Sequence, residues 1–595
     1  MKFNEARAIL KETFGYDSFR KGQAEIVKKL IKKQDTVGIM PTGGGKSLCY
    51  QIPALMFDGL TLVISPLISL MKDQVDALEQ EGISAAFINS SVSFADVKER
   101  LTGAATGKYK LLYVAPERLE SGFFANWLEK APLSLIAIDE AHCISQWGHD
   151  FRPSYLLIRD MIERLPKRPP IVALTATATP KVTDDICQLL NIGRSSVVAS
   201  GFRRENLVFR VVKGQDRDAF LKSYLKINTN QSGIIYAATR KEVDRLQSRL
   251  NAMGFSVGKY HAGMPEEERN KNQEQFLYDD VTIMVATSAF GMGINKSNVR
   301  YVIHYHLPKN IESYYQEAGR AGRDGEESEC VLLYAPQDSQ LPKFFIEQSD
   351  MDEDRKKNEF EKLQQMIGYC HTESCLQQYV LAYFGEKDAS ACEICGNCSD
   401  DRIAEDITQE AQMVFSCVKR MRERFGKTMV AKVLTGSRDQ KIRSFGLDSL
   451  PTFGIMKERT QKQVSELIDF FTAEQYLLPT GSSFPVLALS NKAVEVLQGK
   501  ETVSRKEQIE ARTVVIEDEL FERLRALRKQ LADQKHVPPF VIFSDATLHE
   551  MCTTLPASQS EMLSVKGIGQ RKLKAYGEAF LKVIEEYEAE NTVKA

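Results

Sequence analysis

Met40-Pro41-Thr42-Gly43-Gly44-Gly45-Lys46-Ser47 follows the apolar run Val37-Gly38-Ile39, and its reading decides the fold. A buried strand that empties into a glycine-rich turn and then into a helix opening at Lys46 aims backbone N–H groups and a helix N-terminus at a phosphate. Thr42, Gly43, Gly44 and Gly45 would close the main chain around the oxygens, Lys46 would reach the β- and γ-phosphates of a nucleotide, and the Ser47 hydroxyl would ligate Mg²⁺. Met40 stands where the usual pattern has its first glycine, so the signal is Gly45-Lys46-Ser47 together with the strand before it and the helix after it.

With 595 residues, 43% of them hydrophobic, the chain can build several cores; roughly three to five domains are expected at this length. A formal net charge of −2 excludes a polycation that holds nucleic acid by bulk charge, so any such contact has to come from local patches or backbone N–H groups. Met1 to Leu10 is a charged helical pattern rather than a signal peptide, and no apolar run approaches the ~20 residues of a membrane span. The chain therefore reads as soluble and intracellular. Most of its 11 cysteines lie singly in apolar surroundings, as at Cys49, Cys187 and Cys330, in the manner of reduced core thiols. A cluster near Cys392 is the exception.

Upstream of the glycine-rich turn, Phe14 to Gln23 leads into an amphipathic helix. The Gln23 amide offers the paired donor and acceptor that reads an adenine edge, and Tyr16 or Arg20 can stack on the ring. Downstream, Thr61 to Ile64 is a second buried strand, and the turn that begins at Ser65 supplies hydroxyl and N–H groups suited to backbone phosphates. Leu135 to Ile138 is a further strand with Asp139-Glu140-Ala141-His142 at its carboxyl end, where open α/β sheets bind their ligands. Asp139 is placed to hold Mg²⁺ through water, and Glu140 to orient and deprotonate the water that attacks a γ-phosphate. The loop that follows carries Gln146, Trp147, Phe151 and Arg152 without a helical or strand period. Aromatic residues in such a loop either anchor it to a core or form platforms for stacking bases.

A second α/β domain follows, with strands at Ile234-Ile235-Tyr236 and Thr282 to Ala286 and no phosphate-binding turn of its own. Gln316, Arg320 and Arg323, at spacings of four and three, are expected on one helical face, with Gly319 and Gly322 allowing close approach. Two guanidiniums so placed suit an arginine finger that reaches across a domain cleft. Two RecA-like domains that close on ATP and reopen after hydrolysis make a nucleic-acid motor.

These residues resemble those of the superfamily 2 helicases, and the RecQ DNA helicases closely. Phe14-Gly15-Tyr16 with Phe19-Arg20 and Gln23 is similar to the RecQ adenine-reading motif. Asp139 to His142 with Gln146 to Arg152 is similar to its DEAH box and aromatic-rich loop, and Gln316 to Gly325 to its motif VI. The resemblance implies ATP-driven 3′ to 5′ unwinding of DNA in repair and recombination, including the SOS response, with Lys46, Asp139, Glu140, Gln316, Arg320 and Arg323 as the catalytic set. It implies Ser65, Gln146, Trp147, Phe151, Arg152, His261 and Thr287 as nucleic-acid contacts. The partners implied are single-stranded and duplex DNA and a single-strand-binding protein, with no membrane, in a bacterial cytoplasm at the nucleoid. Two rivals stay open: an RNA helicase on the same motor, and an ATP-gated DNA-binding scaffold that does not unwind.

Cys392, Cys395 and Cys398 need one more ligand for a closed tetrahedral Zn²⁺ site, and Cys370, His371 and Cys375 are all available. The resemblance to the RecQ zinc subdomain selects Cys375, in a structural role. Short helices from Ile407 to Leu497, ending in a hairpin around Gly481-Ser482-Ser483-Phe484, fit a winged helix. Leu563 to Lys572, in a helical C-terminal segment that resembles the HRDC domain, has two glycines and flanking cations suited to a DNA phosphate. The expected architecture is multidomain α/β: RecA-like domains over 1–205 and 206–340, a helical zinc-binding subdomain over 341–402, and a winged helix over 403–500. A linker over 501–515 and a small all-α HRDC domain over 516–595 complete it.

Overall fold

The computed structural model describes residues 2–213, 216–291, 296–400, 402, 404–480, 486–506 and 519–594. The expected hairpin turn at 481–484 and most of the expected linker lie outside these residues. Seven strands, β1 (Thr36–Ile39), β2 (Leu60–Ile64), β3 (Ala85–Ile88), β4 (Leu111–Val114), β5 (Leu133–Ile138), β6 (Ile171–Thr175) and β7 (Val197–Ala199), form one sheet in the order β3-β4-β2-β5-β6-β1-β7. Every pairing in it is parallel. The runs of Val, Ile and Leu in these strands suit a sheet covered on both faces by helices, and β1, β2, β4 and β6 are buried at every position. Because β6 lies between β1 and β5, the glycine-rich turn after β1 and the acid pair after β5 come out at the same edge.

The second lobe repeats the plan with six parallel strands. These are β8 (Leu207–Lys213), β9 (Ser232–Tyr236), β10 (Val257–Tyr260), β11 (Ile283–Ala286), β12 (Val299–His304) and β13 (Ser328–Tyr334), in the order β10-β11-β9-β12-β13-β8. Phe202, in the segment between the lobes, stacks on Phe384 of the helical region that follows at 4.4 Å and meets Tyr315 of the second lobe edge-on. One continuous apolar core thus ties both lobes to the helical subdomain.

Two departures from expectation concern where elements end. The helix that carries Gln316 spans Ile311–Ala318 and stops there, so Arg320 and Arg323 sit on the turn beyond it rather than on a shared helical face. Gly322 takes φ +56, with the Asn206 side chain and the Glu326 carbonyl crowding the place of a Cβ, so local glycine geometry overrides the helical spacing. The other departure is at residue 500. Ser504–Lys506 pairs antiparallel with Ala404–Asp406, which keeps the chain in the winged-helix module through Lys506. The short ribbon of that module pairs Leu477–Thr480 with Val486–Leu489.

The C-terminal helices, from Glu519 onward, pack against both lobes. The site of a Cβ on Gly15 lies 3.2 Å from the Gly569 nitrogen, Lys529 bonds Asp280 at 3.0 Å, and the Tyr278 hydroxyl donates to the His536 carbonyl at 3.1 Å. The Gly567–Gly569 turn therefore faces the motor. Among the described residues no helix is long and apolar enough to cross a membrane.

Candidate nucleotide cleft and nucleic-acid interface

The turn after β1 closes as its glycines require. Gly43 and Gly45 have φ of +77 and +73, and a Cβ on Gly45 would fall 2.4 Å from Gln23 Nε2. The helix after the turn begins at Leu48, two residues later than the spacing suggests. Gln23 is buried, and its amide donates to the carbonyls of Gly44 at 3.2 Å and Gly45 at 3.0 Å while accepting from Arg20 N at 2.8 Å. Arg20 donates to the Gly43 carbonyl at 2.5 Å. Gln23 and Arg20 thus brace the phosphate-binding turn directly, a use that their expected task at the adenine ring did not include.

Tyr16, Arg20, Gln23, Thr42, Gly43, Gly45, Lys46 and Ser47 line a cleft of about 710 Å³ with Asp139, Glu140, Gln316, Arg320 and Arg323. The second lobe reaches it at close range, since the site of a Cβ on Gly319 lies 3.0 Å from Thr42 Cβ. Burial pushes the Lys46 ammonium down, and the carboxylates of Glu140 and Asp139 pull it back. Burial and the neighbouring Glu140 charge push Asp139 up. Glu140 goes down despite its burial, held by His142 and Lys46. Negative charge in the acid pair is thereby concentrated on Glu140, the member expected to take a proton from water.

His142 Nδ1 stands 3.3 Å from Glu140 and 3.0 Å from the Thr175 hydroxyl. Its ring stacks on His149 at 4.4 Å, and His149 Nε2 meets Gln316 Oε1 across the lobes at 3.0 Å. Burial pushes His149 well below the usual imidazole range, so it is neutral at physiological pH, with Nε2–H as donor to the carboxamide oxygen. Burial and the cations Arg320 and Arg204 push Arg323 down to about 9, which leaves it charged but crowded. A set of cations held this closely is arranged to receive an anion.

The expected nucleic-acid contacts differ in exposure. Trp147 is half-buried with the Lys181 ammonium 3.1 Å from its ring centre, Arg152 pairs with Asp150 and donates to the Pro66 carbonyl, and Gln146 is exposed. His261 is buried beside Asp244 at 3.5 Å, and Thr287 is half-buried at the end of β11. Ser65 is 2% exposed with its hydroxyl unpartnered, and Arg152 donates to the carbonyl of the next residue, Pro66.

Farther along, the Sγ atoms of Cys375, Cys392, Cys395 and Cys398 all lie within 4.8 Å of one another, with Cys375 and Cys395 3.9 Å apart. Tetrahedral Zn–S bonds of about 2.3 Å require sulfur atoms ~3.8 Å apart, so the four thiolates fit Zn²⁺. Backbone N–H groups of Gln378 and Cys392 donate to Cys375 Sγ, and these bonds with that from Cys395 draw the Cys375 thiol down. The rival ligands are committed elsewhere: Cys370 is buried with its thiol pushed well up, and His371 faces the Tyr334 hydroxyl at 3.2 Å.

Comparison with known proteins bears on the whole chain. An ATP-dependent DNA helicase RecQ of Bacillus subtilis (strain 168) is 53% identical over 585 residues, which cover 98% of this chain and 99% of that protein. This chain belongs to the RecQ helicase family. A RecQ of Haemophilus influenzae is 40% identical over 601 residues, covering 98% of this chain and 96% of its own. The DEAD/DEAH box helicase family matches residues 20–186, and the helicase conserved C-terminal domain 216–325. RecQ zinc-binding matches 336–399, the RQC domain 401–514 and the HRDC domain 517–584.

One residue of the cleft escaped the sequence reading. Arg204, within the stretch Gly201 to Asn206 that reads as a connector, is buried between the lobes. It donates to the Thr42 carbonyl at 2.5 Å in the first lobe and to Ala321 and Gly322 carbonyls at 3.1 and 2.8 Å in the second. Its only local signal is a pair of arginines followed by Asn206, whose amide also holds the Gly322 carbonyl. Lysine cannot span acceptors in two lobes, so Arg204→Lys is expected to lower ATPase kcat about tenfold or more, as the loss of charge-assisted bonds implies. Cys375→Ser is expected to strip zinc from the purified chain and lower its melting temperature, while Cys370→Ser leaves zinc content unchanged; metal analysis of both variants checks this.

Proposed function

We propose that this chain is an ATP-dependent DNA helicase that converts hydrolysis into 3′ to 5′ movement along a single strand and so opens duplex DNA. The observation that carries the reading is the cleft in which Lys46, Asp139 and Glu140 of one lobe meet Gln316, Arg320 and Arg323 of the other. Charge that develops on a transferred phosphoryl group would be met by Lys46 and by guanidiniums already in place, without reorganisation. Mg²⁺, held at Ser47 and through water at Asp139, would neutralise and orient the phosphate oxygens. Glu140 would take the proton of the attacking water, and His142 beside it would hold that carboxylate in position.

The stack of His142 on His149, and the bond from His149 to Gln316, join the acid pair, the aromatic loop and the second lobe. A strand that shifts the loop would thereby alter both sides of the cleft, which supports coupling of DNA to turnover. Single-strand-binding protein as a partner, work in repair, recombination and the SOS response, and a place at the nucleoid belong to the same reading and rest on the family alone.

Lys46→Ala is expected to lower DNA-stimulated ATP turnover roughly 10²- to 10³-fold with the fold intact by circular dichroism; undiminished turnover removes Lys46 from the chemistry. Trp147→Ala is expected to retain DNA-dependent hydrolysis better than strand displacement from a 3′-tailed duplex. The reading fails if RNA of the same sequence stimulates turnover as well as DNA does, or if the parent chain hydrolyses ATP without separating strands.

A further inference from the structure

The helix Glu353–His371, the first long helix of the zinc-binding region, presents Arg355, Glu359 and Lys362 at spacings of four and three, one face of the helix. That face meets the aromatic loop of the first lobe. The Arg355 guanidinium lies 5.6 Å from the centre of the Phe151 ring. Lys362, 7% exposed, donates from Nζ to the Trp147 carbonyl at 2.8 Å. The same ammonium stands 3.3 Å from Glu312 Oε1 and 3.4 Å from Glu359 Oε1.

Glu312 lies in the first turn of the Ile311–Ala318 helix and is 2% exposed. The Tyr383 hydroxyl also faces this carboxylate, but neither of its oxygens has a hydrogen-bond partner at full geometry, and Lys362 is the cation paired with it among the described residues. One turn farther along the same helix, Gln316 meets His149 of the aromatic loop at 3.0 Å. The helix that feeds Arg320 and Arg323 into the cleft is therefore joined to the loop twice, directly through Gln316 and through a lysine supplied by the zinc-binding region. The simpler account is an ion pair that only glues three segments together. Against it stands the division of the ammonium between a loop carbonyl and a helix carboxylate. Any movement of Trp147 strips Lys362 of one acceptor and changes the field on Glu312, so the contact reports loop position to the helix.

We propose that Lys362 is a positioning residue that transmits the place of the aromatic loop, as set by bound DNA, to the helix leading into Arg320 and Arg323. It rests on the helicase reading above, and makes the zinc-binding region a participant in ATP turnover. Steady-state ATPase of the full chain, with and without an oligo(dT) single strand, tests it. Lys362→Met is expected to leave DNA-free turnover, KM for ATP and the Kd for oligo(dT) within about twofold, and to lower kcat at saturating DNA about tenfold, a modest coupling between sites. Lys362→Arg, which keeps charge and donors, is expected to retain most of the stimulation.

Removing the lysine alone strands a buried carboxylate, which is destabilising in itself. The double variant Glu312→Gln with Lys362→Met removes both charges, and is expected to regain the parent melting temperature while its stimulation by DNA stays low. If stimulation returns with the melting temperature, or if Lys362→Met is stimulated as fully as the parent, Lys362 is only glue and the proposal is overturned. A parent chain that DNA does not stimulate sinks the helicase reading and this proposal with it; a stimulated parent beside an equally stimulated Lys362→Met sinks this proposal alone.

Discussion

Positive charge that is buried and aimed at one point constrains this molecule more than any other feature. Lys46, Arg204, Arg320 and Arg323 converge on the inter-lobe cleft, where burial disfavours the charge of Lys46, Arg204 and Arg323. Backbone carbonyls of Thr42, Ala321 and Gly322 satisfy Arg204, and Glu140 with Asp139 balances part of Lys46. Arg320 and Arg323 line the same cleft as Lys46. Burying like charges together is unfavourable unless an anion joins them, so a triphosphate gains more from this cleft than either lobe alone would offer. The same inequality ties binding to closure: contributions come from two sheets, and full compensation exists only while the lobes are together.

The geometry also accounts for how a neutral chain handles an acidic polymer. With a net charge of −2, the chain has no excess of cations to draw phosphates in bulk. Around the aromatic loop the cations are held in place, Arg152 by Asp150 and the Pro66 carbonyl and Lys181 over the Trp147 ring. Such contacts set the position of loops more than they attract phosphates at a distance. The aromatic loop is in turn bonded to the second lobe through His149 and Gln316 and to the helical region through Lys362.

How much of this could be read in the sequence follows from how local each feature is. The glycine-rich turn after β1 and the acid pair after β5 are short strings whose strand-to-loop context is itself local, and β6 between them guarantees that they meet. The zinc cluster needed only a Cys-x₂-Cys-x₂-Cys run, but its fourth ligand needed the family resemblance, since Cys370 and Cys375 lie five residues apart in one sequence neighbourhood. Helical spacing placed Gln316, Arg320 and Arg323 in the right cleft for a partly wrong reason. The helix ends at Ala318, and the left-handed Gly322 rather than a common face delivers the last arginine. Arg204, and the bracing of the turn by Gln23, resisted reading because the partners are main-chain carbonyls, which every residue carries and no side-chain pattern announces.

Main-chain acceptors of this kind explain why the lobes can move without losing specificity. A carbonyl is fixed by the backbone and accepts from any suitably placed donor, so Arg204 needs no complementary residue that would have to keep in step with it. The cost is geometric: a planar guanidinium satisfies acceptors in both lobes only over a narrow range of lobe separation. Arg204 thus holds Thr42 on one side and Ala321 and Gly322 on the other at one lobe separation. The stack of Phe202 on Phe384 ties the same connector to the helical region, away from Thr42.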